Sequence, residues 1–411
     1  MSQPITTSVT MDAESFQKFR SFDLFHHQKR WQRPLLFAAI LLGSSGICLS
    51  QVGVREGASL LAVVLAIVAL GLPAVYFYTF FRDLRTTIDD WFYWAFCVED
   101  AAGETVTFRF PSRNRVGRFG PAVSRDGIHW AWTGTDIAGD TFTYTFGADE
   151  NRVCFAHDML YQPTRFATFC AEHGLETAEF CVSEKGRSVP CVRYGEGGKY
   201  ILLTARHHAC ESTGSYVLEG VLSTLIEALP EGYAILCVPC VDYDGVVDGD
   251  QGKNRAPYDH NRDYPLDGAE SIYASVRAIR AFADSHTVAY AFDFHSPWHM
   301  WEQNDVPFIS RSTESMEARN DRFSAYLEKE TAGHTLTYER KNDVGPNEQW
   351  NHEDSPNCKN YFARRAESEL VITLETPYFG LPGHVISEEA MRAFGVDFAH
   401  AVLSYIADTG E

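Results

Sequence analysis

Beyond residue 190 the chain alternates short apolar runs with stripes of apolar residues at helical spacing, and this pattern constrains the fold most. The apolar runs, each of strand length, cover 200–205, 233–241, 288–294 and 370–374. Helical stripes lie between and after them, at 217–229, 272–279 and 387–406. Strands that alternate with helices form a parallel or mixed sheet covered on both faces, so we predict an α/β domain with a mixed central sheet.

Polar side chains follow two of these predicted strands directly. His208 and Glu211, three residues apart in one turn after the first strand, are a usable pair of zinc ligands, although such a spacing also arises by chance on solvated turns. His295 follows the third strand and supplies a third ligand, with Asp293 placed to orient its ring. Three protein ligands and an open position are typical of a catalytic zinc site.

Two further segments carry candidate catalytic groups. Glu375 ends the apolar run 370–374, where burial would raise its pKa and suit it to general-base catalysis; an ordinary surface glutamate at a strand edge is the alternative. The loop 252–263 contains Arg255 and Arg262, which can bind a carboxylate or stabilise an oxyanion, or simply belong to a solvated charged loop.

The N-terminal segment 1–88 contains two apolar runs without a charged residue, at 35–52 and 58–81. Each is long enough to cross a bilayer as a helix, so we predict a two-helix transmembrane hairpin; a buried helical hairpin is the alternative. Basic residues flank the pair on both sides, which by the positive-inside rule keeps both ends in the cytoplasm. These residues are Lys29, Arg30, Arg33, Arg82 and Arg85.

Between the hairpin and the α/β domain, residues 89–181 show period-two alternation, as in 105–110 and 141–146, with Gly, Asn, Asp and Pro between the runs. This pattern predicts a small antiparallel β-sandwich without a catalytic cluster of its own. The catalytic domain is then predicted to cover 182–411.

The charge and the cysteines restrict partners and compartment. A net charge of −20 argues against nucleic-acid binding, although Lys253, Arg364 or Arg365 could still form a local basic pocket for substrate. Ten scattered cysteines are typical of reduced intracellular thiols. Cys237 and Cys240 fall in or beside a predicted buried strand, which favours core packing over a redox or metal role.

Read together, these segments resemble the M14 family of zinc carboxypeptidases, and most closely the branch of the cytosolic carboxypeptidases, which also has a β-sandwich before its catalytic domain. The similarity runs from about residue 91 to the C-terminus. The stretches that carry it are ARHHACE at 205–211, DGVV at 244–247, NR at 254–255, NR at 261–262, FDFH at 292–295 and TLE at 373–375, with WFYW at 91–94 and GPAVSRDG at 120–127 in the sandwich.

The resemblance implies a zinc-dependent peptidase that acts on peptide or protein C-terminal tails. His208, Glu211 and His295 would hold one zinc ion, and Glu375 would act as general base and acid. The resemblance also implies substrate roles for three residues of the charged loop. Arg255 would stabilise the oxyanion, while Asn261 and Arg262 would bind the terminal carboxylate of the substrate.

The chain departs from the family pattern at three places. The hairpin stands where the sandwich should begin, His207 beside His208 leaves the register of the first ligand open, and the family's substrate-side tyrosine has only Tyr361 as a candidate, for which core packing is the alternative. Two other functions stay open. One is a zinc-dependent amidase or N-acyl amino acid deacylase of the same fold, and the other is a catalytically silent, membrane-tethered module that binds tails.

Overall fold

The computed structural model describes residues 7–10, 92–110, 115–134, 139–255, 257–299 and 302–409. The apolar runs 35–52 and 58–81 lie outside these residues, so the transmembrane hairpin stays a prediction. Among the residues that are described, no helix combines the length and the apolar character needed to cross a bilayer.

The described elements before residue 160 are strands. In chain order they are β1 (Thr7–Thr10), β2 (Ala95–Glu99), β3 (Thr105–Arg109), β4 (Ala122–Ser124), β5 (Ala131–Trp132), β6 (Thr141–Thr145) and β7 (Arg152–Ala156).

Helices and strands alternate from residue 163 onward. The first group is α1 (Pro163–Glu172), β8 (Thr177–Val182), β9 (Ser188–Tyr194), β10 (Lys199–Ala205), α2 (Ser212–Glu227), β11 (Tyr233–Val238) and α3 (Tyr243–Asp248). The second group is α4 (Ala274–Ser285), β12 (Thr287–His295), β13 (Phe308–Ser310), α5 (Glu317–Glu330), α6 (Cys358–Ala363), β14 (Leu370–Glu375), β15 (Gly380–Leu381), β16 (His384–Val385) and α7 (Glu388–Thr409). Short 3-10 helices cover His260–Arg262, Glu302–Asp305, Glu314–Met316 and Arg340–Asn342.

A seven-stranded mixed sheet forms the centre of the α/β part, in the order β13-β14-β12-β10-β11-β9-β8. Its four inner strands β14, β12, β10 and β11 are parallel, while β13, β9 and β8 pair antiparallel at the two sides. The predicted mixed central sheet is therefore confirmed. Strand β8 lies at the predicted domain boundary and forms one edge of this sheet.

Helices cover both faces of the sheet because alternate residues of each inner strand point to opposite sides. On β10, Ile201 and Leu203 belong to the core shared with α2 and α7, whereas Leu202 belongs to the core shared with α4 and α6. Helices α2 and α7 cross very closely: a Cβ at Gly220 would lie 2.1 Å from the Arg392 carbonyl oxygen. This contact fixes α7 against the helix that follows the candidate site.

The strands before residue 160 form two smaller sheets, β2-β7-β4-β5 and β1-β3-β6, which share an aromatic core. A disulfide joins Cys97 to Cys154, its partner across β2 and β7. The prediction of reduced thiols is therefore wrong for this pair, because β-strand pairing sets the two side chains side by side, which their separation along the chain does not reveal. Cys237 and Cys240 are free and buried, which confirms their interpretation as core residues.

Candidate metal centre and its cavity

Three neighbouring parallel strands carry the candidate site at their carboxyl ends. Strand β12 lies between β14 and β10, with His295 opposite Glu375 and Phe294 opposite Ala205. The residues that follow Ala205 therefore emerge beside the last residues of β12 and β14. This arrangement, which follows from sheet order alone, brings the turn after β10 onto His295 and Glu375.

The turn after β10 is shaped by Arg206, which has a left-handed backbone conformation with φ of 59° and is only 1% exposed. Its guanidinium donates hydrogen bonds to the carbonyl oxygens of Ala209, at 2.9 Å, and of Tyr161, at 2.8 Å. The turn then ends at Glu211, directly before the first residue of α2. Arg206 thus holds the backbone from which two candidate ligands project.

His208, Glu211 and His295 converge, with candidate ligand atoms that all lie within 4.8 Å of one another. The Nδ1 atom of His208 lies 2.8 Å from Glu211 Oε1, and that of His295 lies 2.7 Å from Glu211 Oε2. All three side chains are buried, His208 being 9% exposed and the others less. Two imidazole nitrogens and a carboxylate directed at one point are a donor set that zinc accepts.

A second layer of polar groups orients His295 and its neighbour His207. Asp293 accepts a hydrogen bond from His295 Nε2 at 2.7 Å and contacts His207 Nδ1 at 2.8 Å, while Tyr264 contacts the other nitrogen of His207 at 2.7 Å. His207, Asp293 and His295 also lie close enough to hold a metal ion. Both nitrogens of His207 are already engaged, however, and His207 does not line the cavity described below. The geometry therefore favours His208 as the ligand.

The charged groups at the centre stabilise one another's ionised forms. Burial opposes protonation of His208, but the carboxylates of Glu211 and Asp259 outweigh it and raise the pKa of His208. Burial alone would raise the pKa of Glu211, yet His208, Lys253 and His295 hold that pKa well below its usual range. Asp259, whose Oδ1 lies 3.4 Å from His208 Nε2, was missed by the sequence reasoning.

Glu375 is buried on the neighbouring strand, and its pKa is shifted in the opposite direction. Burial raises the pKa of Glu375, and although His295 and Lys253 oppose the shift, Glu211 adds to it. Its Oε2 atom has no hydrogen-bond partner among the described residues. A buried carboxylate with a free oxygen and a raised pKa is suited to accept a proton.

One cavity of about 790 Å³ connects the ligands with the charged loop. All seven residues that the sequence predicts for the site line it: His208, Glu211, Arg255, Asn261, Arg262, His295 and Glu375. The structure therefore brings together residues that lie up to 167 positions apart, His208 and Glu375 being the outermost.

The three loop residues are held by neighbouring backbone and carboxylates. Arg255 is 8% exposed, and its Nη2 lies 2.7 Å from Asp242 Oδ2. Asn261 and Arg262 lie on the 3-10 helix His260–Arg262, which is capped by the Asp259 side chain. The same aspartate therefore contacts a candidate ligand and fixes the position of the predicted carboxylate-binding pair.

Three other residues that the sequence suggested for the site lie outside the cavity. Tyr361 does not line it; its ring packs beside Tyr264 at 5.8 Å and its hydroxyl accepts a hydrogen bond from Arg365, which favours core packing. Arg364 and Arg365 do not line the cavity either, and Arg365 pairs with Asp284. Among the described tyrosines, Tyr258 lines the cavity.

Two lysines also line the cavity: the sequence suggested Lys253 as part of a basic pocket, whereas it did not suggest Lys359. Lys253 lies 2.7 Å from Glu211 Oε1 and donates hydrogen bonds to the carbonyl oxygens of Ser296 and Pro297. Lys359 on α6 is 5% exposed and also lines the cavity. The sequence offers no signal for Lys359, because α6 is short and enters the cavity only through its packing beneath β14.

The chain resembles solved structures of one kind when it is compared with known proteins. Neither a family model nor a curated protein matches the sequence. Among solved structures, a metallo-carboxypeptidase from Burkholderia cenocepacia matches with a TM-score of 0.61 and 19% identity, over 78% of this chain and 90% of that one. A metallo-carboxypeptidase from Pseudomonas aeruginosa matches with a TM-score of 0.60 and 20% identity, over 77% and 89%. The chain thus has the fold of metallo-carboxypeptidases.

Proposed function

We propose that this protein is a zinc-dependent metallocarboxypeptidase that hydrolyses the C-terminal peptide bond of peptides or proteins. The observation that carries the proposal is the convergence of His208, Glu211 and His295 with a buried Glu375 in the cavity that also contains Arg262. The fold of the structural neighbours supports the same class of reaction.

The metal would be held by His208, Glu211 and His295, whose two Nδ1 atoms and carboxylate form a buried set suited to zinc. When bound, zinc supplies Lewis acidity that polarises the scissile carbonyl and lowers the pKa of the attacking water. Asp293 keeps the His295 ring in the orientation that presents Nδ1.

Glu375 would perform the proton transfers. Its carboxylate takes a proton from the water as the water oxygen bonds to the carbonyl carbon, and it then gives a proton to the leaving amine as the C–N bond breaks. The raised pKa of Glu375, caused first by burial, suits both steps because the carboxylate accepts a proton more readily and the protonated form can then donate it.

The charged loop would bind the substrate. Arg262 and Asn261 hold the terminal carboxylate, which restricts cleavage to the last residue of the chain. Arg255, fixed by Asp242, stabilises the oxyanion that develops on the scissile carbonyl. Arg255, Asn261 and Arg262 all line the cavity.

The test compares three substrates with the full-length, zinc-loaded protein, followed by mass spectrometry. One peptide has a free C-terminus, the second is its C-terminal amide, and the third compound is an N-acyl amino acid. We expect release of the last residue from the free peptide and no release from the amide. Turnover of the N-acyl amino acid alone would favour the deacylase, whereas binding of the free peptide without turnover would favour the silent tail-binding module.

We also propose that the hairpin at 35–52 and 58–81 holds the catalytic domain at the cytoplasmic face of a membrane. The basic residues on both flanks of the hairpin support this orientation. Placement in the cytosolic branch of the family rests on the sequence motifs alone.

A further inference from the structure

The segment 251–253 packs along the turn after β10, which carries two of the proposed zinc ligands. The backbone carbonyl oxygen of Gln251 accepts a hydrogen bond from the Cys210 N–H at 3.0 Å, and Cys210 directly precedes the ligand Glu211. The next residue, Gly252, has φ of 77°, and a Cβ there would lie 2.4 Å from a backbone nitrogen of the turn. These contacts hold the backbone of the turn itself, in addition to its side chains.

The side chain of Gln251 bonds to a different part of the molecule, the two-sheet module formed by β1 to β7. Its Oε1 atom accepts hydrogen bonds from the backbone N–H groups of Phe92, at 2.9 Å, and Tyr93, at 3.3 Å. These two residues lead into β2, and both Gln251 and Phe92 are completely buried. Gln251 therefore binds the two-sheet module through its side chain and the ligand turn through its backbone.

The other hydrogen bonds between the two-sheet module and the α/β part lie away from the ligands. Trp132 Nε1 donates to the Ile386 carbonyl oxygen at 2.7 Å, and the Trp130 N–H donates to Glu388 Oε1 at 2.8 Å. Neither Ile386 nor Glu388 lines the cavity or belongs to the turn after β10. None of the module's described residues lines the cavity either, so any effect of the module on the site must pass through a contact such as that of Gln251.

We propose that Gln251 is a positioning residue through which the two-sheet module holds the geometry of the zinc site. The inference rests on the proposed function, which identifies the turn's His208 and Glu211 as ligands. Because zinc sites keep their ligand distances to within roughly 0.2 Å, a small shift of the turn weakens binding. The module thereby acquires a role in the reaction, although it supplies no residue to the cavity.

The experiment measures the zinc affinity of the full-length protein by competition against a chromophoric chelator. Gln251→Met removes the side-chain acceptor at nearly the same length and leaves the backbone carbonyl oxygen that binds Cys210. We expect its zinc affinity to fall by about 10-fold, as when a group that orients a ligand is lost. Gln251→Glu keeps an acceptor for Phe92 and Tyr93 and should restore most of the affinity.

A matched control separates positioning from a general loss of stability. Trp132→Phe removes the donor of another hydrogen bond between the two-sheet module and the α/β part, the bond to Ile386. Both Trp132→Phe and Gln251→Met should lower the melting temperature, because each leaves buried polar groups without a partner. Only Gln251→Met should lower the zinc affinity, and an equal loss in both variants would overturn the inference.

A second measurement needs no variant and decides the matter if Gln251→Met does not fold. Coupling between two sites is reciprocal, so zinc binding should in turn stabilise the contact between Gln251 and the two-sheet module. Hydrogen exchange of the wild type, followed by mass spectrometry, should show that zinc slows the amides of Phe92 and Tyr93 more than that of Trp130. Trp130 is the comparison because its N–H bonds to the α/β part away from the ligands. Equal slowing at both places would overturn the inference.

The inference and the proposed function fail separately, because zinc affinity and amide exchange are measured without turnover. Wild-type protein that binds zinc but releases no C-terminal residue would overturn the proposed function alone. Unchanged zinc affinity in folded Gln251→Met protein that still releases the last residue of a peptide would overturn the inference alone.

Discussion

Asp293→Asn should weaken zinc binding although Asp293 touches no metal in the proposed site. The Asp293 carboxylate is 3% exposed and accepts hydrogen bonds at 2.7 to 2.8 Å from His295 Nε2, His207 Nδ1 and Thr204 Oγ1. An amide of the same shape has one oxygen in place of two and presents an N–H₂ group to a neighbour. One of the two histidines therefore loses its acceptor, and the negative charge behind His295 disappears.

The expected loss of zinc affinity follows from the loss of the hydrogen bond that orients His295. Removal of the partner that orients a ligating histidine typically costs 10- to 100-fold in metal affinity, or roughly 1.4 to 2.8 kcal/mol. The assay is competition for zinc against a chromophoric chelator, with circular dichroism to show that the variant is folded. Asp397→Asn is the matched control, because Asp397 accepts a similar bond from His334 at 2.7 Å outside the cavity. Unchanged zinc affinity in folded Asp293→Asn protein would refute the reasoning.

Three further predictions concern the metal, the base and the disulfide. Zinc at 100 times its Kd should stabilise the protein by about 2.7 kcal/mol in thermal melts, and a chelator should reverse this. Burial raises the pKa of Glu375, so kcat/KM should fall as the pH drops through that raised pKa; a flat acidic limb would contradict this. The Cys97–Cys154 disulfide spans 57 residues, so Cys154→Ser should lower the free energy of unfolding by about 4 kcal/mol in urea, while Cys170→Ser, a similarly buried cysteine without a disulfide, should lower it far less.

The inner strands and the site residues at their ends could be predicted because the apolar pattern of each strand is complete within its own segment. Strands β10, β12 and β14 are buried on both faces and therefore read as continuous apolar runs, and the structure matches them to within a residue at each end. His295 and Glu375 complete two of these strands, and the turn with His208 follows the third. Parallel pairing then forces their convergence, which no single segment shows.

The features that were missed depend on contacts between distant segments. Strands β8 and β9 are half exposed, so their apolar signal is weak, and their pairing with the central sheet is set by packing. Lys359 enters the cavity only because α6 packs beneath β14, and Cys97 meets Cys154 only through strand pairing. None of these contacts has a counterpart in local composition or spacing.

The central claim is tested most directly by titrating metal-free, full-length protein with zinc while following release of the last residue from a peptide with a free C-terminus. The account predicts that activity rises with bound zinc up to one ion per chain. Glu375→Gln should bind the same single zinc ion without turnover, since Glu375 supplies the base and not a ligand. Release of residues by the metal-free protein, or by zinc-loaded Glu375→Gln, would contradict the account.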